Sequence, residues 1–190
     1  MKRSRNPTRI AFAGIVCSLV VSAIVGIFVI LVGDFDETEI KILFTSGSLA
    51  GLSILLLPSL FHLERNQYMI VARLGVLTAI GGGAAIQLVI WSEGNFGGEL
   101  FWKTVVTDGI LAFSINQMLA LLMARVEQPL LVMSRWVTTV AISAVAVFMM
   151  YVIWANEFPE QAIRIFASVV VLDALGTMAF PIIVRLSKNK

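Results

Sequence analysis

Two carboxylates stand in segments otherwise too apolar for water. Asp173 sits in the middle of VVVLDALGTMAFP (Val169 to Pro181), and Asp108 sits in TVVTDGILAF (Thr104 to Phe113), with Asn116 and Gln117 about two turns further on. An acid at the centre of a membrane span costs about 2.5–3.5 kcal/mol on insertion scales, so its presence there is a functional hypothesis by default. Neither acid has a basic residue at comparable depth. A carboxyl without a fixed counter-ion suits a proton or cation relay. It equally suits a neutral carboxyl donating one interhelical hydrogen bond as structural glue. Thr177, one turn beyond Asp173, and the amide Asn116 complete the candidate ion or solute pathway of Asp173, Asp108, Thr177 and Asn116. Whether the two acids share a face depends on the register chosen. Counted from Lys103 and Arg164 they fall about 40° apart around a helix; counted from Arg125 and Arg185, about 140°.

Other chemistry is scarce. His62 is the sole histidine and reads as an interfacial side chain near a helix end, so bis-histidine haem ligation within one chain is excluded. Cys17 is the sole cysteine and reads as a small buried hydrophobe, which excludes an internal disulfide or a cysteine metal site. No Ser/His or Ser/Lys pair has the spacing of a membrane protease. The Gly-x-Gly-Asp of intramembrane aspartyl proteases is missing too, because Gly109 and Gly176 follow their acids. No phosphate loop, dinucleotide fingerprint or nucleic-acid patch appears. The expectation is a non-enzyme with no metal, no cofactor and no nucleic-acid partner.

The elements that carry these residues are membrane spans. The chain has 190 residues, 58% hydrophobic and 14% charged, against about half and a quarter in soluble domains. Runs long enough to cross a bilayer are Ile10–Gly33, Ile40–Phe61, Met69–Trp91, Leu100–Ala124, Leu130–Ala155 and Gln161–Val184. Helices are expected because lipid satisfies no backbone polar groups. The basic MKRSRNPTR start precedes an apolar run too long for a cleavable signal, so it reads as a retained first span. One set of helix ends carries Lys2, Arg3, Arg5, Arg9, Arg65, Arg73, Arg125, Arg135, Arg185, Lys188 and Lys190. The other holds Lys41, Lys103 and Arg164 among Asp34, Asp36, Glu37, Glu39, Glu93, Glu99, Glu157 and Glu160. By the positive-inside rule both termini are expected in the cytoplasm; the chain resembles the small membrane proteins of bacteria, which implies an inner membrane.

The pattern repeats at about 60 residues. Glu37/Lys41, Glu99/Lys103 and Glu160/Arg164 each place an acid four residues before a base at the start of an even span. VIWSEGNF (Val89–Phe96) echoes VIWANEF (Val152–Phe158). The expected fold is therefore an all-α polytopic membrane protein, one domain over 1–190. Its six transmembrane helices form three parallel helical hairpins (1–66, 67–127, 128–190) about a pseudo-threefold axis along the membrane normal. Polar groups gather on the even spans, which places those inside.

Small residues mark close packing: Gly14, Ser18, Ser22 and Gly26 along helix 1, Gly47 and Gly51 in helix 2, and Gly81, Gly82 and Gly83 in helix 3. Two functions follow as expectations. One is a small conduit or transporter for protons, cations or a small solute past the buried acids. The other is an accessory, scaffold or assembly subunit of a larger membrane complex, or a homo-oligomer, with the acids as glue.

Overall fold

The computed structural model describes residues 7–33, 36–92, 97–124, 128–156 and 163–187. Lys2, Arg3, Arg5, Asp34, Glu93, Arg125, Glu157, Glu160, Lys188 and Lys190, part of the charge pattern read above, lie outside these residues. Six helices follow in order: α1 (Pro7–Val32), α2 (Glu37–Glu64), α3 (Met69–Trp91), α4 (Glu99–Leu122), α5 (Pro129–Ala155) and α6 (Ile163–Ser187). At about 1.5 Å per residue, each exceeds the roughly 30 Å of a hydrocarbon core. Five of them, α2 to α6, are long and apolar enough to cross a membrane; in α1 the apolar helix among the described residues is Val16–Val32. Large apolar side chains lie open on the outside, Leu31 and Ile70 77% exposed and Leu130 79%. In water such a surface would associate, so the bundle is compatible with an integral membrane protein.

Local chemistry sets the helix ends. Asp36 caps α2, its Oδ1 accepting from the Glu39 amide at 2.7 Å. Glu37 and Glu99 occupy first turns, where acids suit the helix dipole, and each pairs with the lysine four residues on: Lys41 at 3.2 Å, Lys103 at 2.7 Å. Pro129 opens α5, where its missing N–H is harmless. Asn66 and Tyr68 take left-handed backbone, φ 53° and 49°, which turns the chain from α2 to α3 within four residues. Both α2 and α6 run through their internal prolines, Pro58 and Pro181.

The helices organise around α4, which packs on α2, α3, α5 and α6. A core of Leu121, Leu131, Ile142 and Phe180 locks α4 to α5 and α6. Helix α2 touches α1, α3 and α4; α6 touches α4 and α5. Among the described residues α2 and α6 do not meet. The even helices thus form a row, α2–α4–α6, and α6 lies at the edge rather than inside. The physical reason is visible in its composition, since Ile165, Val171, Leu172, Leu175 and Met178 are all exposed, while Asp173, Thr177 and Phe180 turn toward its neighbours. Cys17, expected to be buried, is exposed on α1.

The small residues divide as well. Ser22 is buried on α1, and a Cβ at Gly26 would lie 3.5 Å from the Ser46 hydroxyl of α2. Gly14, Gly47 and Gly51 have nothing within 4 Å of the place a Cβ would take. A cavity of about 460 Å³ opens between Gly14 and Ser18 of α1, Ser53 of α2 and Gly83 of α3.

Candidate functional site

Asp108 faces α3. Its Oδ2 would lie 2.7 Å from a Cβ at Gly82 and 3.7 Å from one at Gly81. The glycine run therefore bares a stretch of backbone against which the carboxyl rests, and any side chain at Gly82 would displace it. That oxygen is buried and makes no hydrogen bond of good geometry among the described residues. Gly83 serves a different neighbour, lying against the Leu52 side chain of α2.

Asn116 lies two turns along α4 and is 1% exposed. Ser59 of α2 donates to its Oδ1 at 2.6 Å, and its Nδ2 donates to the Ala112 carbonyl at 2.8 Å and the Gly75 carbonyl at 3.4 Å. Gly75 lets α3 reach this junction, because a Cβ there would collide with the Ser59 hydroxyl. Both N–H donors of Asn116 are used and its Oδ1 accepts from Ser59, so the residue ties three helices together.

His62 lies in the last turn of α2, the helix end where it was expected. It is fully buried, between the ring edges of Phe61 and Tyr68. Its Nε2 lies 2.9 Å from the Leu119 carbonyl. A carbonyl only accepts, so Nε2 carries the hydrogen, and Nδ1 is left buried without a partner among the described residues.

Asp173 belongs to a different junction. Gln117 of α4 donates through Nε2 to Asp173 Oδ1 at 2.6 Å and to Thr177 Oγ1 at 2.8 Å, and Thr177 in turn donates to Asp173 Oδ1 at 3.1 Å. The i,i+4 spacing puts Asp173 and Thr177 on one face of α6, and the long amide of Gln117 bridges to both. Gly176 meanwhile lets α6 close on Thr138 of α5. Half-buried Asp173, Gln117 and Ser114 form the polar end of a half-open cavity of about 520 Å³. Its remaining wall is apolar and comes mainly from α4 and α5.

The four predicted pathway residues therefore do not line one path. Asp173 and Thr177 meet each other and Gln117. Asn116 turns to α2 and α3, and Asp108 to α3. Asp108 and Gln117 are nine residues apart, two and a half turns at 3.6 residues per turn, so they leave α4 on opposite sides. Sequence reasoning passed over Gln117, Ser59 and His62 as site residues. The Asn116-Gln117 doublet in an apolar helix was the available signal for the first. Ser59 and His62 carried none beyond being polar on the same even helix. Among the described residues no three of His, Cys, Asp or Glu gather as metal ligands. Compared with protein-family models, curated proteins and solved structures, the chain matches none.

Proposed function

We propose that the chain is a non-enzymatic membrane protein that takes up a cation or small solute at the Asp173–Gln117–Thr177 junction and conducts or carries it. One observation carries this reading: the Asp173 carboxyl stands at the polar end of a cavity of about 520 Å³, within the roughly 300–1,000 Å³ of small-molecule sites. Asp108 is not part of this pathway, because it leaves α4 on the far side. Asp173→Asn in liposome flux assays is the test. Flux of at least one cation among protons, alkali ions and small organic ammonium ions should fall at least tenfold, and unchanged flux of all of them ends the proposal.

A second reading, an accessory or assembly subunit, is favoured by Gly14, Gly47 and Gly51. They leave backbone uncovered on α1 and α2, and small residues are where membrane helices approach each other. The two readings are compatible, since a carrier can also assemble with itself.

The repeat belongs to this proposal too. Trp91 donates through Nε1 to Thr45 at 3.1 Å, and Trp154 to Thr107 at 3.1 Å. Those pairs and the Glu/Lys pairs on α2 and α4 recur with a spacing of 62 or 63 residues, which supports a duplicated hairpin. Because α2 and α6 do not meet among the described residues, we infer that the hairpins follow one another in a row rather than about a threefold axis. The ends bearing Arg65, Arg73 and Arg135 would face the cytoplasm, with both termini on that side of a bacterial inner membrane.

A further inference from the structure

The cavity beside Asp173 has an unusual division of labour. Its long wall, with Val106, Gly109 and Phe113 of α4 and Ile142, Val145 and Met149 of α5, offers no hydrogen bond. Its polar end offers mainly acceptors. Gln117 Nε2 is fully engaged with Asp173 and Thr177. That leaves Gln117 Oε1, Asp173 Oδ2 and the Ser114 hydroxyl without a hydrogen bond to any described residue, on three side chains that line the cavity together. No described lysine or arginine lines it; the ion pairs of Lys41 and Lys103 lie at helix starts.

Each feature restricts the occupant. A bare alkali ion would be stripped of water by an apolar wall that returns only three oxygens, all at one end. A neutral apolar molecule would leave the carboxyl and the amide oxygen facing hydrocarbon, and an unmet buried polar group costs about 1–3 kcal/mol. An anion would meet acceptors. An ammonium group on an apolar body satisfies both parts, because its N–H donors reach the oxygens and its body covers the aliphatic and aromatic wall.

We propose that this cavity is a binding site for lipophilic primary ammonium ions, held by charge-assisted hydrogen bonds to Asp173 Oδ2 and Gln117 Oε1. The inference rests on the carrier reading above and gives its solute a chemical class. Gly109 sets the depth of the cavity, since nothing lies within 4 Å of the place its Cβ would take. A leucine there would grow into the space intended for the apolar body.

The test is equilibrium dialysis of radiolabelled 2-phenylethylammonium against the full chain in detergent micelles, with 2-phenylethanol as the neutral counterpart. Saturable binding of the ammonium is expected, weakened at least tenfold by Asp173→Asn, while 2-phenylethanol uptake is unchanged by that substitution. Gly109→Leu, which leaves every hydrogen bond at Asp173 intact, should abolish saturable binding. Binding that is non-saturable in the wild type, or equal in the wild type and Gly109→Leu, overturns the proposal. If Asp173→Asn binds as the wild type does, the carboxyl is not the recognition group and the proposal also fails. Asp173-dependent cation flux without ammonium binding would overturn the solute class and leave the conduit standing. Saturable, Asp173-dependent ammonium binding without flux supports the site and removes the conduit.

Discussion

Asn116 and Gln117 are adjacent in sequence and bond to different helices: Asn116 accepts from Ser59 of α2 at 2.6 Å, and Gln117 donates to Asp173 of α6 at 2.6 Å. One step of about 100° around α4 separates the two side chains. Because α2 and α6 do not meet among the described residues, this doublet gives α4 a side-chain bond to each of them. It explains why α4 carries two amides in succession where either alone would cost insertion energy.

The Ser59–Asn116 bond should be measurable by a double-mutant cycle. Interhelical hydrogen bonds in membrane proteins average about 0.6 kcal/mol by this method, with a maximum near 1.7. Full burial of Asn116 and three bonds to it place this pair toward the upper end. Unfolding in mixed detergent micelles of Ser59→Ala, Asn116→Ala and the double variant should give a coupling of about 1 kcal/mol. A coupling indistinguishable from zero would mean that Asn116 is held by Ala112 and Gly75 alone.

The glycine run of α3 separates into positions of different sensitivity. A Cβ at Gly82 would sit 2.7 Å from Asp108 Oδ2, whereas one at Gly81 would sit at 3.7 Å, ordinary contact. Gly82→Ala should destabilise by about 1–3 kcal/mol through overpacking, and Gly81→Ala should not. Asp108→Ala removes the colliding atom, so combining it with Gly82→Ala should restore part of the loss. Thermal denaturation in detergent of the four variants checks this, and equal effects at Gly81 and Gly82 would contradict the placement of Asp108.

The number and extent of the helices were legible because hydropathy in lipid is a composition signal that needs no partner. The ion pairs at the helix starts were legible for the same reason: Glu37/Lys41 and Glu99/Lys103 are local pairs, readable within one turn. What stayed hidden was every relationship that depends on how one helix is rotated against another. Asp108 and Asp173 were two candidates for one face, and the registers counted from the two ends of the spans gave opposite answers. Only the bond from Gln117 to Asp173, and the bare glycines opposite Asp108, decide it. His62 shows the same limit. Position along the span gives its place near a helix end, but not that Phe61, Tyr68 and the Leu119 carbonyl, gathered from two helices and a turn, enclose it. The even helices were expected inside because polar residues concentrate there, and α6 shows the limit of that rule. A helix needs only one polar face to carry Asp173 and Thr177, and its other faces remain at the edge.

Gly47 and Gly51 give a test of assembly that leaves the fold alone. Neither has an atom within 4 Å of its Cβ position, so Gly47→Leu and Gly51→Leu should leave unfolding in detergent within about 0.5 kcal/mol of wild type, as surface substitutions do. If these positions seat another helix, cross-linking in native membranes should lose its higher-mass species in both variants. Persistence of the same species would place any association elsewhere.

Substitutions at Asp173 distinguish glue from chemistry. An asparagine presents a carbonyl oxygen where the carboxyl Oδ1 now accepts from Gln117 and Thr177, so Asp173→Asn keeps both hydrogen bonds while it loses the negative charge and turns the second acceptor, Oδ2, into an amide donor. A leucine removes both acceptors and leaves the Gln117 amide without its shorter bond. Unfolding in mixed micelles should therefore place Asp173→Asn within about 0.5 kcal/mol of wild type, while Asp173→Leu loses about 1–2 kcal/mol, the worth of two membrane hydrogen bonds. Flux should separate differently, falling in both variants because both lack the carboxylate. Were Asp173→Asn to match the wild type in stability and in flux alike, hydrogen bonding would be the whole role of this residue, and the junction would be a clasp between α4 and α6.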